Sequence, residues 1–165
     1  MKIAIRLVLL AAVLALGGWL WTIFFPSPEK AVRKKLSALA EIVSFEAQAS
    51  TFSRAAKAMS FQGYFNSNIV IVVDVPELGT HTINDRFELV EQSNVAFAAL
   101  PGIRVSFLDP TVRVQPDKLT ADVSCTVRVL VGKDRDSGEQ EIRLHFQKIN
   151  GDWLITRAET VKTLR

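Results

Sequence analysis

The longest apolar stretch comes first. From Leu7 to Phe25, "LVLLAAVLALGGWLWTIFF", nineteen residues pass without a charge. As a helix rising about 1.5 Å per residue they reach roughly 28 Å, close to a hydrocarbon thickness. Trp19 and Trp21 fall near its distal end, where indoles favour the headgroup boundary, and Lys2 and Arg6 mark the near end. A cleaved signal peptide is the rival reading. Its apolar region should be shorter and end in small residues, whereas "LALGG" is followed at once by "WLWTIFF", so the pattern favours an uncleaved anchor. The charges flanking the span conflict. Lys2 and Arg6 place the N-terminus in the cytoplasm, while Lys30, Arg33, Lys34 and Lys35 argue the reverse. The expectation is a single pass through the cell inner membrane with the domain on the periplasmic or extracellular side. The chain then divides into a tail at 1–6, a span at 7–25, a linker at 26–29 and a domain at 30–165.

Beyond the span the period becomes helical. Ser27 is a capping residue, Pro28 suits the first helical position and Glu29 complements the helix dipole. Val32, Leu36, Leu39 and Val43 then form one stripe. Lys30, Arg33 and Lys34 lie away from it, either solvated or against anionic headgroups. A second helix is expected over Thr51–Met59, with Phe52, Ala55 and Met59 inward, ending before Gly63. "NIVIVVDVP" predicts a strand stopped by Pro76 and turned back through Gly79. A third helix follows from about Asn84 to Leu100, with Phe87, Val90, Phe97 and Leu100 on its stripe, Asn94 inside that stripe, and Pro101-Gly102 ending it.

From Ile103 the period is two. "IRVSFLDPTVRVQ" predicts a strand with a bulge or an edge at Pro110, which has no N–H to give a ladder. The next strand alternates Val123, Cys125, Val127 and Val129 against Asp122, Ser124, Thr126 and Arg128. "QEIRLHFQKI" is the third, and Asn150-Gly151 is a two-residue hairpin signal before "DWLITRAETV". Strict alternation there puts Arg157 and Glu159 on one side with Trp153 and Ile155. Turned toward the helices, the two charges would line a pocket; turned outward, they would brace neighbouring strands.

Composition narrows the function classes. The chain has 165 residues, with 20 basic and 17 acidic side chains. Two of the basic residues precede the span, so the rest carries 18 against 17, a net of +1 with no cationic stripe. Nucleic acid is not an expected partner. The lone Cys125 makes no intrachain disulfide and reads as a small core residue. No His/Cys cluster, glycine-rich phosphate loop or serine elbow is present, so neither a metal nor a cofactor is expected. His81 and His145 read as surface histidines.

Three helices and a short hairpin followed by four long strands make an α+β domain, a mostly antiparallel sheet with helices on one face. At this point the chain resembles the nuclear-transport-factor-two-like superfamily, also called cystatin-like or polyketide-cyclase-like. "FQGYFNSNIVIVVD", "INDRFELV" and "INGDWLITRAETV" carry the likeness, which covers about residues 29–162. The resemblance implies a cone-shaped curved sheet and, between sheet and helices, a pocket where enzymatic members hold an acid/base pair. Tyr64, Asp74, Asn94, Arg157 and Glu159 are the pocket candidates here; none is assigned as catalytic. The family's habit of pairing through the sheet implies a homodimer. The leading reading is a membrane-anchored, non-catalytic binding or assembly module with the lipid bilayer and an envelope protein or small apolar ligand as partners. The alternatives are a subunit of a secretion-system assembly and a small-molecule enzyme of isomerase, cyclase or hydrolase type, using Asp74, Tyr64 and Arg157.

Overall fold

Local signals set the helix starts. In the computed structural model, which describes residues 27–75, 79–132 and 136–161, Ser27 Oγ accepts from the Lys30 N–H at 3.4 Å and opens α1, Pro28–Val43. The expected span at 7–25 lies outside the described residues. Among those described, no helix is long and apolar enough to cross a membrane. Ser50 caps α2, Thr51–Phe61, by accepting from the Ser53 N–H at 3.2 Å. A 3₁₀ turn at Gln62–Tyr64 then leads into β1, Phe65–Val75, and β2 follows at Gly79–Ile83. For α3, Arg86–Ala99, Asp85 accepts from the Glu88 N–H at 2.8 Å while the Glu88 carboxylate accepts from the Asn84 N–H at 3.3 Å, a reciprocal arrangement close to a capping box.

Four strands complete the chain: β3 Ile103–Val114, β4 Thr120–Val131, β5 Asp136–Ile149 and β6 Asp152–Thr160. The sheet order is β2-β1-β6-β5-β4-β3. Every neighbouring pair is antiparallel except β1 and β6, which run parallel. That exception is sterically open to them because helix α3 and four strands lie between them in the chain. The Asn150-Gly151 hairpin forms as expected, with φ of 51° and 92° at its two central residues, the left-handed pair of a type I′ turn.

Pro110 marks both features expected of it. Strand β3 is an edge, and its register shifts between Leu108 and Thr111, with Asp109 at φ 47°. The connection from α1 to α2 covers part of this edge. Phe45 and Ile103 exchange backbone hydrogen bonds of 2.8 and 2.9 Å, Ser44 Oγ accepts from the Val105 N–H at 2.9 Å, and Arg33 donates to the Pro110 carbonyl at 2.7 Å. An edge engaged in this way is a poor template for another strand.

The helices cover one sheet face. Val32, Leu36 and Leu39 of α1 pack with Ile69, Phe146 and Ile155 in the principal core. The stripe read for α1 holds, that of α3 holds at Phe97 and Leu100 but not at Phe87, and that of α2 is corrected. Phe52 and Met59 of α2 are 85% and 69% exposed, and Ala58 is the buried residue. Arg54 takes the inward direction instead: its guanidinium donates to the carbonyls of Ala47, Ala49, Phe97 and Leu100 and lies 4.7 Å from the Phe45 ring centre. A small residue at 58 lets the helix close on Phe45 and Phe97, whose rings meet edge-to-face at 5.4 Å. In α3 the buried line passes through Leu89 and Phe97, leaving Phe87 81% exposed and Asn94 exposed as well. Sequence periodicity cannot choose between adjacent helical phases when both carry apolar residues.

Candidate functional site

Strand β6 answers the question of its two charges by a bulge. Phe146 pairs with Ile155, but His145 pairs with Arg157, so Thr156 is an extra residue and the alternation reverses there. Trp153 and Ile155 point into the core; beyond the bulge it is Ala158 that packs inward. Arg157 and Glu159 therefore stand on the outer sheet face, opposite to Trp153 and Ile155, which corrects the strict alternation.

There Glu159 accepts from Arg143 and Arg157, each at 3.1 Å. The Arg157 hydrogen bond holds its carboxyl below the ordinary glutamate range, with Arg143 adding to the effect against a smaller opposing desolvation. Neighbouring strands continue the pattern. His145 Nδ1 lies 2.5 Å from Asp122, which also accepts from Gln115 at 2.8 Å, and Arg128 meets Glu139 at 2.6 Å. These groups are half-exposed, so each pair contributes little to stability.

The other candidates do not join this pair in a pocket. Asp74 lies on β1, where Ile71 packs inward beside Ala158 and alternation carries Val70, Val72 and Asp74 to the outer face; its N–H donates to Thr160 Oγ1 at 2.8 Å. Asn94 is on the solvent side of α3. Tyr64 sits in the 3₁₀ turn, half-buried against the principal core, with Lys35 Nζ 4.9 Å from its ring centre. Burial, helped by the Glu41 charge, pushes its phenol up. His81 is exposed on β2, its Nε2 3.5 Å from the Gln92 amide, and His145 belongs to the outer ladder. The interior between helices and sheet is occupied by aliphatic and aromatic side chains, and among the described residues no polar or charged one is buried. No group of His, Cys, Asp and Glu among them has the arrangement to hold a metal ion.

Concavity lies instead at the rim. A cleft of about 550 Å³ opens where the α1–α2 connection meets the start of β3 and the end of β4, lined by Phe45, Gln48, Lys57, Ile103, Arg104 and Leu130 among others. A second one of about 410 Å³ lies between α1 and β3 near Arg33 and Pro110. In the larger cleft Lys57 donates to the carbonyls of Glu41 and Ser44, both at 2.8 Å, closing the end of α1. Arg104 meets Glu46 at 3.3 Å. Gly102 permits the tight approach, since a Cβ there would stand 2.9 Å from the Ala47 nitrogen. The cleft offers apolar walls with a few cations and carbonyls, a chemistry suited to binding. Sequence reading missed it because its walls come from three separated segments; Gly102 was legible only as a helix stop.

No family model matches the chain, and no curated protein is significantly similar to it. Solved structures are similar in fold. An NTF2-like protein of unknown function from Pseudomonas putida superposes with a TM-score of 0.64 at 12% identity, covering 83% of this chain and 87% of its own. An NTF2-like protein with a cystatin-like fold from Novosphingobium aromaticivorans gives 0.62 at 17% identity, covering 92% and 86%. A candidate scytalone dehydratase from the same organism gives 0.60 at 13% identity, covering 82% and 83%. At these identities the likeness shows the cystatin-like fold alone.

Proposed function

We propose that this cystatin-like domain is a membrane-anchored, non-catalytic binding or assembly module of the cell envelope. The observation that carries the reading is the filled cone: where a catalytic pocket would need buried acid and base, Ile69, Phe146, Ile155 and Val32 are packed. The nineteen uncharged residues before α1 supply the anchor, and the rim cleft supplies a binding surface. A homodimer in this reading pairs through the outer sheet face around Ser124, Thr126 and His145. An assembly subunit of a secretion system is the narrower version, supported by layout only.

The candidate dehydratase among the fold neighbours supports a second reading, a small-molecule enzyme. The two separate experimentally. With a photocrosslinking residue at Gln48 of the full chain in its native membranes, the binding module forms an adduct of one discrete mass, weakened by Lys57→Glu. Turnover of a small apolar compound that disappears in Asp74→Asn, with no adduct, would establish the enzyme instead. Release of the chain from membranes by carbonate would remove the anchor from the proposal.

A further inference from the structure

Contacts between α1 and β3 set which end of the domain lies at the start of α1. Arg33 donates to the Pro110 carbonyl and Ser44 Oγ accepts from the Val105 N–H, so α1 runs antiparallel to β3. The spacing is self-consistent: eleven helical residues at about 1.5 Å and five strand residues at about 3.3 Å both cover roughly 17 Å. On that scale Pro28, five residues before Arg33, stands about 7.5 Å beyond it, level with Val112. The turn that follows β3, Gln115–Leu119, lies at this same end. The Lys148 N–H donates to the Leu119 carbonyl at 2.7 Å, which brings the end of β5 and the Asn150-Gly151 hairpin alongside.

At this end Leu119 is 52% exposed where the turn rejoins β4, next to Lys118 in a left-handed conformation at φ 55°. Lys148, bonded to it through the backbone, and Lys30, near the start of α1, are exposed at the same end. The acids at this end are Glu29, paired with Arg33 at 3.0 Å, Asp117, Asp152 and Asp122, which stands across from Arg113 on the neighbouring strand. Asp117 is turned into its own turn, accepting from the Leu119 N–H at 2.8 Å and the Thr120 N–H at 3.0 Å. Lys30, Lys118, Lys148 and Arg113 against Asp117, Asp122 and Asp152, outside the Glu29–Arg33 pair, leave a local excess of +1. An exposed leucine beside Lys118 and Lys148 suits the boundary between acyl chains and anionic headgroups.

The uncharged run ends at Phe25, and the two residues between it and Pro28 can extend no more than roughly 10 Å. We infer that the end of the domain formed by Leu119, Lys118, Lys148 and Lys30 docks on the lipid surface, holding α1 upright on the bilayer. The inference rests on the anchor reading above. Its consequence is directional. The rim cleft, at the opposite end of α1 and about 24 Å of helix away, faces the aqueous compartment, where a partner can reach it.

The test uses the full chain reconstituted in phosphatidylcholine vesicles, with and without about a third phosphatidylglycerol. A polarity-sensitive fluorophore is placed at Leu119→Cys or, at the opposite end, at Gln48→Cys; the buried Cys125 stays unlabelled. The expected result is blue-shifted emission at 119, quenched several-fold more by nitroxide lipids than at 48, with the quenching increased by the anionic lipid and reduced by Lys118→Glu with Lys148→Glu. Equal quenching at both positions, in vesicles that retain the chain on flotation, overturns the docking while leaving the anchor intact. A chain that fails to float with the vesicles overturns the anchor and the docking together.

Discussion

The two faces of strands β4, β5 and β6 differ in what they do. Inward, Val123, Leu144, Phe146 and Ile155 pack against α1 with no polar group among them. Outward, the same strands carry Asp122 with His145, Arg128 with Glu139, and Glu159 between Arg143 and Arg157. Burial of apolar surface scales with area and is insensitive to small displacements, so the inner face carries stability. The outer pairs remain in contact with water and salt, so they position strands and stay available for contact. The contrast teaches that the two faces of one sheet divide packing from solvent-exposed pairing.

Substitutions on the two faces should therefore differ several-fold. Phe146→Ala on the inner face is expected to cost about 3 to 5 kcal/mol, read from urea denaturation of the full chain in detergent. A loss under 1 kcal/mol would mean that the interior is looser than described. At the rim, Gly102→Ala brings a Cβ to 2.9 Å from the Ala47 nitrogen and is expected to cost about 1 to 3 kcal/mol while weakening the cleft adduct. On the outer face, Arg157→Ala should cost about 1 kcal/mol or less; a value of 3 to 5 kcal/mol would mark a desolvated pair and break the comparison.

A smaller effect sharpens it. Because Glu159 titrates below its ordinary range when folded, its stabilisation is complete at neutral pH and is lost as pH falls through the folded value. The stability gap between the native chain and Glu159→Gln should therefore be present at pH 7 and close below about pH 4. A gap that widens on acidification would reverse the assignment. Least visible of all, burial pushes the Cys125 thiol up to about 11, so its reaction with a thiol reagent at pH 8 should proceed only at the rate of unfolding.

Much of the fold was legible because its signals are local. The Ser27 cap with Pro28, the α1 stripe, the irregularity at Pro110, the Asn150-Gly151 turn and the alternation of β4 each depend on residues a few positions apart. The phase of α2 and the first turn of α3 were not, because Phe52 and Phe87 look like core residues until Arg54 and Leu89 are seen in the inward positions. The pocket candidates fared differently again. Arg157 and Glu159 were read onto the side of Trp153 by a rule that a single bulge at Thr156 inverts, and nothing in "DWLITRAETV" announces that bulge.

The sequence by itself determined the elements, their order and the helix-over-sheet class, since caps, turns and periodicity act through neighbouring residues along the backbone. Only the tertiary structure decided that β1 lies parallel to β6, that the cone is filled, that two charges turn outward, and that a cleft forms at the rim. Those outcomes depend on strand register and on contacts between residues tens of positions apart, whose energies are settled by packing and leave no trace in local pattern.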